Sequence, residues 1–159
     1  MEKLLTLLER DATLTPAELA VMLSKEEGEI KEMIAELEAN GTILGYKTIV
    51  DWDKTDREYV NALIEVKVMP QHDGGFDKIA DKIKHLPEIK GLYLMSGGFD
   101  FTVLLEGKTM KEVAFFVARK LAPLENVTAT ATHFVLKTYK DKGTVYDMPE
   151  KDPRDKLLI

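Results

Sequence analysis

Two hydrophobic periods divide the chain, a helical one up to about Gly41 and a mixture of helical and alternating ones after it. From Glu2 to Arg10, Leu4, Leu5, Leu7 and Leu8 recur at helical spacing, and Asp11-Ala12-Thr13 interrupts them. Thr15-Pro16-Ala17-Glu18 supplies a capping residue, proline at the first helical position and glutamate three residues after the cap, with Leu14 and Leu19 placed as a hydrophobic staple. This predicts a helix from Pro16 to about Leu23 with Leu19, Ala20 and Leu23 inward. Ser24-Lys25-Glu26-Glu27 repeats the capping spacing, and Ile30, Met33, Ile34 and Leu37 carry an apolar stripe to a C-cap at Asn40-Gly41. A short second helix, an abrupt turn and a longer third helix form the helix-turn-helix pattern. Thr42 to Tyr46 and Lys47 to Val50 then read as a short β-ribbon turning near Gly45, a wing.

Asp51 to Glu58 is charged and unpatterned, which marks an interdomain linker. Strict alternation follows: Val60, Ala62, Ile64, Val66 and Val68 on one side of a strand, Asn61, Leu63, Glu65 and Lys67 on the other, closed by Pro70 and Gly74-Gly75. Phe76, Ile79, Ala80 and Ile83 mark a helix that ends at Leu86-Pro87. Ile89 to Ser96 is a second strand, Gly97-Gly98 a hairpin signal and Phe99 to Glu106 a third strand. Thr109 to Leu121 is a further helix, and Val127 to Tyr139, rich in Thr and Val, a last strand.

The order β-α-β-β-α-β is the ferredoxin-like pattern, with both helices on one face of a four-stranded antiparallel sheet. The expected fold class is therefore α+β: a winged helix-turn-helix over 1–50, a linker over 51–58, a ferredoxin-like domain over 59–140 and a charged tail over 141–159. Leu63, Leu92, Leu94, Leu104, Phe134 and Leu136 are expected on the face away from the helices, where a second copy of the sheet is the simplest cover. The tail, Met148 to Asp155 especially, reads as solvated, and the closing Leu157-Leu158-Ile159 either stays disordered or docks on a neighbour.

Composition narrows the function. Cysteine is absent, which removes disulfides, thiolate nucleophiles and sulfur-ligated metal sites. No apolar run reaches the roughly 20 residues that span a bilayer, and no signal-peptide core follows Met1, so a cytoplasmic protein is expected. The formal net charge is −6. Up to Val50 there are ten acidic and five basic residues, a net of −5 that leaves −1 for the rest. Nucleic-acid binders usually concentrate positive charge where they meet phosphate, so this distribution opposes DNA binding.

Helix-turn-helix chemistry nevertheless needs a third helix that reaches base edges and a wing that meets backbone. The residues placed for that are Lys25, Glu29 and Lys31 on the helix and Lys47 on the wing, the carboxylate being able to accept from a cytosine amino group. An ordinary solvated helix face is the competing reading. At Gly97-Gly98-Phe99-Asp100 two readings also stand: a plain hairpin, or backbone N–H groups and a carboxylate that together hold the two ends of an amino acid. His72, His85 and His133 lack metal-ligand spacing, and there is no phosphate loop, nucleophile elbow or dinucleotide fingerprint. Neither an enzyme, a cofactor nor a metal is expected.

The segments TPAELAVML, LEANGTILGYKTIVD, GLYLMSGGFDF and VTATATHFVLKTYK, spread from Glu2 to Lys140, resemble the Lrp/AsnC family of feast/famine regulators. The resemblance implies a DNA-binding helix-turn-helix and a second domain that dimerises, assembles dimers and binds amino acids between subunits. It maps the effector loop onto Gly97, Gly98 and Asp100, and the threonine-rich last strand onto Thr130 and Thr132. The chain departs from the family on its third helix, where Glu32, Met33, Ala35 and Glu36 stand in place of the usual arginine or lysine. A transcription regulator responding to an amino acid between subunits is thus expected, against the alternative of a homo-oligomeric small-molecule sensor or protein-interaction adaptor.

Overall fold

A computed structural model describes residues 1–69 and 75–146. Pro70, His72, Gly74, the Met148 to Asp155 stretch and the closing Leu157-Leu158-Ile159 lie outside the described residues. The chain divides into two compact units, Met1–Val50 and Asp51–Ile159.

The first unit contains α1 (Glu2–Arg10), α2 (Pro16–Leu23) and α3 (Glu27–Ala39). Leu4, Leu8, Leu19, Ala20, Ile30 and Leu37 form its core, and fully burying each of the larger side chains stabilises the fold by about 1.5–3 kcal/mol. Local chemistry sets the helix starts. The Thr15 side chain accepts from the Glu18 backbone N–H at 3.3 Å, and the Glu18 carboxylate accepts the Thr15 N–H at 2.8 Å, so two otherwise unpaired donors are served. Ser24 does not repeat this. It adopts a left-handed conformation (φ 53°) as the C-cap of α2, and α3 starts after Glu26 without a side-chain cap. One residue cannot close one helix and cap the next when both duties fall within a tight turn.

Residues 42–50 form no paired strand, so the expected wing ribbon is not formed. Ile43 N–H donates to the Leu37 carbonyl and the Tyr46 hydroxyl to Glu38, whereas Leu44 is 94% exposed. An isolated two-stranded ribbon is marginal in water, and with Leu44 in solvent little burial supports one here.

The second unit begins with a 3₁₀ turn at Trp52–Lys54 within the presumed linker. Its sheet holds β1 (Val60–Val68), β2 (Ile89–Leu94), β3 (Phe101–Gly107) and β4 (Val127–Phe134) in the order β2-β3-β1-β4, all neighbours antiparallel. α4 (Gly75–Lys84) and α5 (Met110–Phe116) bury Ile79, Ile83, Val113 and Phe116 with Ala62, Ile64, Val66, Phe101, Val103 and Leu105. This is the ferredoxin-like arrangement. α5 passes into one wider turn at Val117–Leu121, where the Ala122 N–H donates to the Val117 carbonyl at 2.8 Å and Leu121 is fully buried.

The far side of the sheet differs from expectation. In the strand register Leu92 lies opposite Val103, Leu94 opposite Phe101 and Phe134 opposite Ala62, so all three belong to the helix-covered side. Leu92 and Phe134 pack against that core, while Leu94 is more than half exposed at its margin. Two register shifts cause this. One lies between Ile89 and Gly91 and the other at Lys67/Val68, opposite Val127 to Ala129. Each adds a residue and reverses which side chains face the core. The open side carries Leu63, Tyr93 and Leu104 among Glu65, Lys67, Glu106, Ala129, Ala131 and His133. Leu136 lies beyond the end of β4, 90% exposed. Beyond it β5 (Lys140–Asp141) and β6 (Thr144–Val145) pair as a small hairpin, where the sequence reads only as an unpatterned tail.

Candidate functional site

On the helix-turn-helix unit two of the three cations expected to meet phosphate, Lys25 and Lys31, are engaged with carboxylates. Lys31 Nζ lies 2.6 Å from Glu27 Oε1, one helical turn back, and Lys25 is ion-paired with Glu29. All four side chains are about a third or more exposed, so these pairs are exchangeable with solvent rather than fixed. Lys47 is exposed on the unpaired 42–50 segment. Glu29 and Lys31 therefore share α3, whereas Lys25 stands in the turn before it, neutralised by Glu29. Glu27 was not singled out by sequence reasoning, yet its four-residue spacing from Lys31 is the signal that identifies it.

At the β2–β3 hairpin the geometry is closed by backbone bonds. The Met95 N–H donates to the Asp100 carbonyl at 2.8 Å, and the Asp100 N–H donates to the Val66 carbonyl at 3.0 Å. The Asp100 carboxylate accepts the Val68 N–H at 2.8 Å. Asp100 thus fastens the base of the hairpin to the end of β1, 32 residues away. Gly97 and Gly98 are exposed, and Gly97 takes φ +152°, a conformation that side chains rarely adopt. Thr130 lies opposite Val66, which in turn lies opposite Phe101, so Thr130 is two strands, roughly 10 Å, from the hairpin base. Thr132 is one further step along, opposite Ile64. Both threonines point to the helix-covered side of the edge strand and are half-buried. The hairpin residues are thus gathered at one end of the sheet, with Thr130 near and Thr132 further off.

A second linkage within this unit has no local sequence signal. The Arg57 guanidinium lies 4.3 Å over the Trp52 ring and bonds Glu106 at 2.5 Å, across 49 residues. It ties the start of the unit to the end of β3. Nearby, the Tyr59 hydroxyl donates to Asp53 at 2.8 Å, and burial together with that carboxylate pushes its pKa up to about 12. His133 Nε2 lies 3.2 Å from Glu65 Oε1 on the open side of the sheet. Among the described residues no cluster of three or more histidines and carboxylates could hold a metal ion, and no helix is long and apolar enough to cross a membrane.

The chain pairs a helix-turn-helix unit with a ferredoxin-like sheet whose hairpin is pinned by a carboxylate. The family model described as the Lrp/AsnC ligand binding domain matches residues 61–145. The chain belongs to the Lrp/AsnC family. It is similar to YugG of Bacillus subtilis, an uncharacterized HTH-type transcriptional regulator, with 38% identity over 153 residues that cover 96% of this chain and 92% of that one. It is also similar to the HTH-type transcriptional regulator Ptr1 of Methanocaldococcus jannaschii, with 27% identity covering 87% of this chain and 91% of that one. Among solved structures, the fold matches a complex of the regulator NMB0573 from Neisseria meningitidis with L-Met, at a TM-score of 0.70 and 21% identity, covering 98% of this chain and 96% of that one.

Proposed function

We propose that this chain is a cytoplasmic, homo-oligomeric, DNA-binding transcription regulator whose operator affinity changes when an amino acid binds between subunits at the hairpin of Gly97, Gly98 and Asp100. The observation that carries this reading is the presence, in one chain, of a helix-turn-helix unit and the family's ligand-binding domain. The L-Met complex of the structural neighbour supports an amino acid as the ligand class. Leu63, Tyr93 and Leu104 on the open side of the sheet support assembly with a second copy. Thr130 and Thr132 are assigned to the same effector site from the edge strand β4, two strands from the hairpin. Lys25, Glu29, Lys31 and Lys47 face DNA, and since few cations are present, several heads acting together supply the affinity. Selection of genomic fragments by the purified protein, with and without a mixture of amino acids, tests the reading. Enrichment of discrete fragments whose yield changes with the mixture is expected, and no enrichment at low salt overturns it.

One observation favours a second reading. Lys31 on α3 and Lys25 in the turn before it are both paired with carboxylates of that helix, in a unit of net charge −5. A small-molecule sensor or protein-interaction adaptor with weak or no DNA binding fits that surface, and failed fragment selection with an intact ligand response selects it.

A further inference from the structure

The four-stranded sheet has two edges, and they are built differently. β2, at one edge, is six residues long, carries Lys90 and is offset by the register shift between Ile89 and Gly91. A short, charged and irregular strand resists pairing with a further strand. β4, at the other edge, is eight residues long and holds no lysine, arginine, aspartate, glutamate or proline. Its register shift falls at its first residues and leaves Ala129 to Phe134 regular. The Val135 N–H donates to the Asn61 carbonyl at 2.9 Å, and antiparallel bonding alternates along a strand. His133 and Ala131 therefore turn their backbone groups to β1, while Thr132 and Thr130 turn theirs outward. Among the described residues no strand pairs with that outer side.

The edge is also self-complementary. About Thr130 the strand reads the same in both directions, with alanine at Ala129 and Ala131 and threonine at Thr128 and Thr132. An antiparallel partner related by a two-fold axis at Thr130 thus sets Ala129 opposite Ala131, Thr128 opposite Thr132 and Thr130 opposite its own copy. The outward groups of the two Thr130 residues then exchange both backbone bonds. Two-fold pairing of a charged strand brings like charges together, whereas here His133 falls opposite Val127 and the threonine pairs are favourable ones. We infer that the outer edge of β4 pairs with the same edge of a second copy, antiparallel and centred on Thr130, so that two four-stranded sheets continue into one another. This contact is made by backbone groups at the sheet edge. It is separate from the open side of the sheet and does not depend on the assembly or effector site proposed above.

The chain contains no cysteine, so single cysteines read the register directly. Directly opposed residues that exchange backbone bonds have Cα atoms about 5.5 Å apart, a separation that a disulfide spans. Thr132 would lie four steps from its own copy, roughly 14 Å away and beyond that reach. Full-length Thr130→Cys treated with oxidised glutathione should therefore give at least tenfold more covalent dimer than Thr132→Cys on a non-reducing gel. Hydrogen exchange of the unsubstituted chain supplies a second reading that needs no variant. The outward amides of Thr130 and Thr132 should be protected to the same degree as the inward amide of Ala131, since in a lone chain they have no strand to bond. Absence of the Thr130→Cys dimer, equal cross-linking of Thr132→Cys, or rapid exchange at Thr130 and Thr132 each overturns the inference. Light scattering on the same samples separates this outcome from failure of the assembly reading, because particles of more than one chain without the cross-link would place the contact on the open side of the sheet.

Discussion

Among the described residues the Met1–Val50 unit holds its side-chain polar contacts only over short spans of chain, whereas the Asp51–Ile159 unit adds long ones to short ones such as Tyr59 with Asp53. In the first, Thr15 meets Glu18, Lys25 meets Glu29, Glu27 meets Lys31 and Glu38 meets Tyr46, none more than eight residues apart. In the second, Asp100 meets Val68, Lys120 meets Glu88 and Arg57 meets Glu106, across 32, 32 and 49 residues. A local contact survives partial opening of its surroundings, and a distant one exists only when the whole sheet is formed. The helical unit should therefore lose stability in small steps as its contacts are removed, and the sheet unit in larger ones.

The largest effects come from the two cores. Leu19→Ala and Ile64→Ala each remove a fully buried side chain and should cost about 2–5 kcal/mol. Trp52 is the only tryptophan and belongs to the sheet unit, so its fluorescence reports on that unit. Urea unfolding should show Ile64→Ala shifting the Trp52 transition strongly, while Leu19→Ala shifts the far-ultraviolet helical signal and leaves Trp52 nearly unmoved. Equal movement of Trp52 by both variants would break the comparison and make the chain one cooperative body.

Asp100→Ala comes next. It leaves the Val68 N–H without its acceptor and frees the hairpin base, at a cost of about 1–3 kcal/mol in the Trp52 transition. Under the proposed function it should also abolish the rise in melting temperature produced by the effector amino acid. That rise is about 2.7 kcal/mol in free energy when the ligand stands at a hundred times its dissociation constant. An unchanged response moves the effector site away from the hairpin.

The same contrast explains how far the sequence could be read. α1, α2 and the Thr15 cap are written in residues three or four apart, and their bounds follow from those letters. The order of strands and helices was equally legible, since periods of 2 and 3.6 alternate cleanly. The sheet faces were not. Counting by twos from Ile89 places Leu92 and Leu94 outward, and counting from Val127 does the same for Phe134, until one extra residue in each strand reverses the count. Thr130 and Thr132 turn to the helix side for the same reason. The sequence marks Asp100 as an effector ligand, but its bond to Val68 depends on a strand end 32 residues away that carries no signal beside it. The pairing of Lys25 with Glu29 and of Glu27 with Lys31 is written in their four-residue spacing.

A smaller effect is expected at the cap of α2. Thr15→Ala removes the hydroxyl that accepts from Glu18 N–H and should cost about 1 kcal/mol of helical stability. The Thr15 backbone N–H, and after it the Thr15 hydroxyl, hold the Glu18 carboxyl below its ordinary value. A depressed folded value means that this contribution is present above the ordinary glutamate range and is lost as pH falls through the folded value. The acid-induced loss of helical signal should therefore be shallower in Thr15→Ala than in the wild type. Identical acid profiles would show that the Thr15 hydroxyl does not help to hold the Glu18 carboxyl down.

The smallest change in stability, and the sharpest for function, concerns the surface of α3. Glu27 precedes Lys31 by four residues within α3, the more favourable orientation of a helical pair, whereas Lys25 reaches Glu29 from the turn before the helix. Glu27→Gln should cost about 0.2–0.5 kcal/mol and Glu29→Gln less, because both pairs are solvent-exposed. Each substitution also releases a lysine. If Lys31 meets a DNA phosphate, Glu27→Gln strengthens binding and steepens the dependence of affinity on salt by about 0.9 per head, the share of one released counterion. Glu29→Gln should do the same through Lys25, and it should in addition alter base preference if its carboxylate accepts from a base edge. Lys31→Glu should weaken binding to all sequences alike. Titration of labelled fragments at several salt concentrations reads all three variants together. Unchanged slopes in both glutamine variants would mean that these lysines do not touch DNA, and the acidic helix would then be a surface for protein contacts.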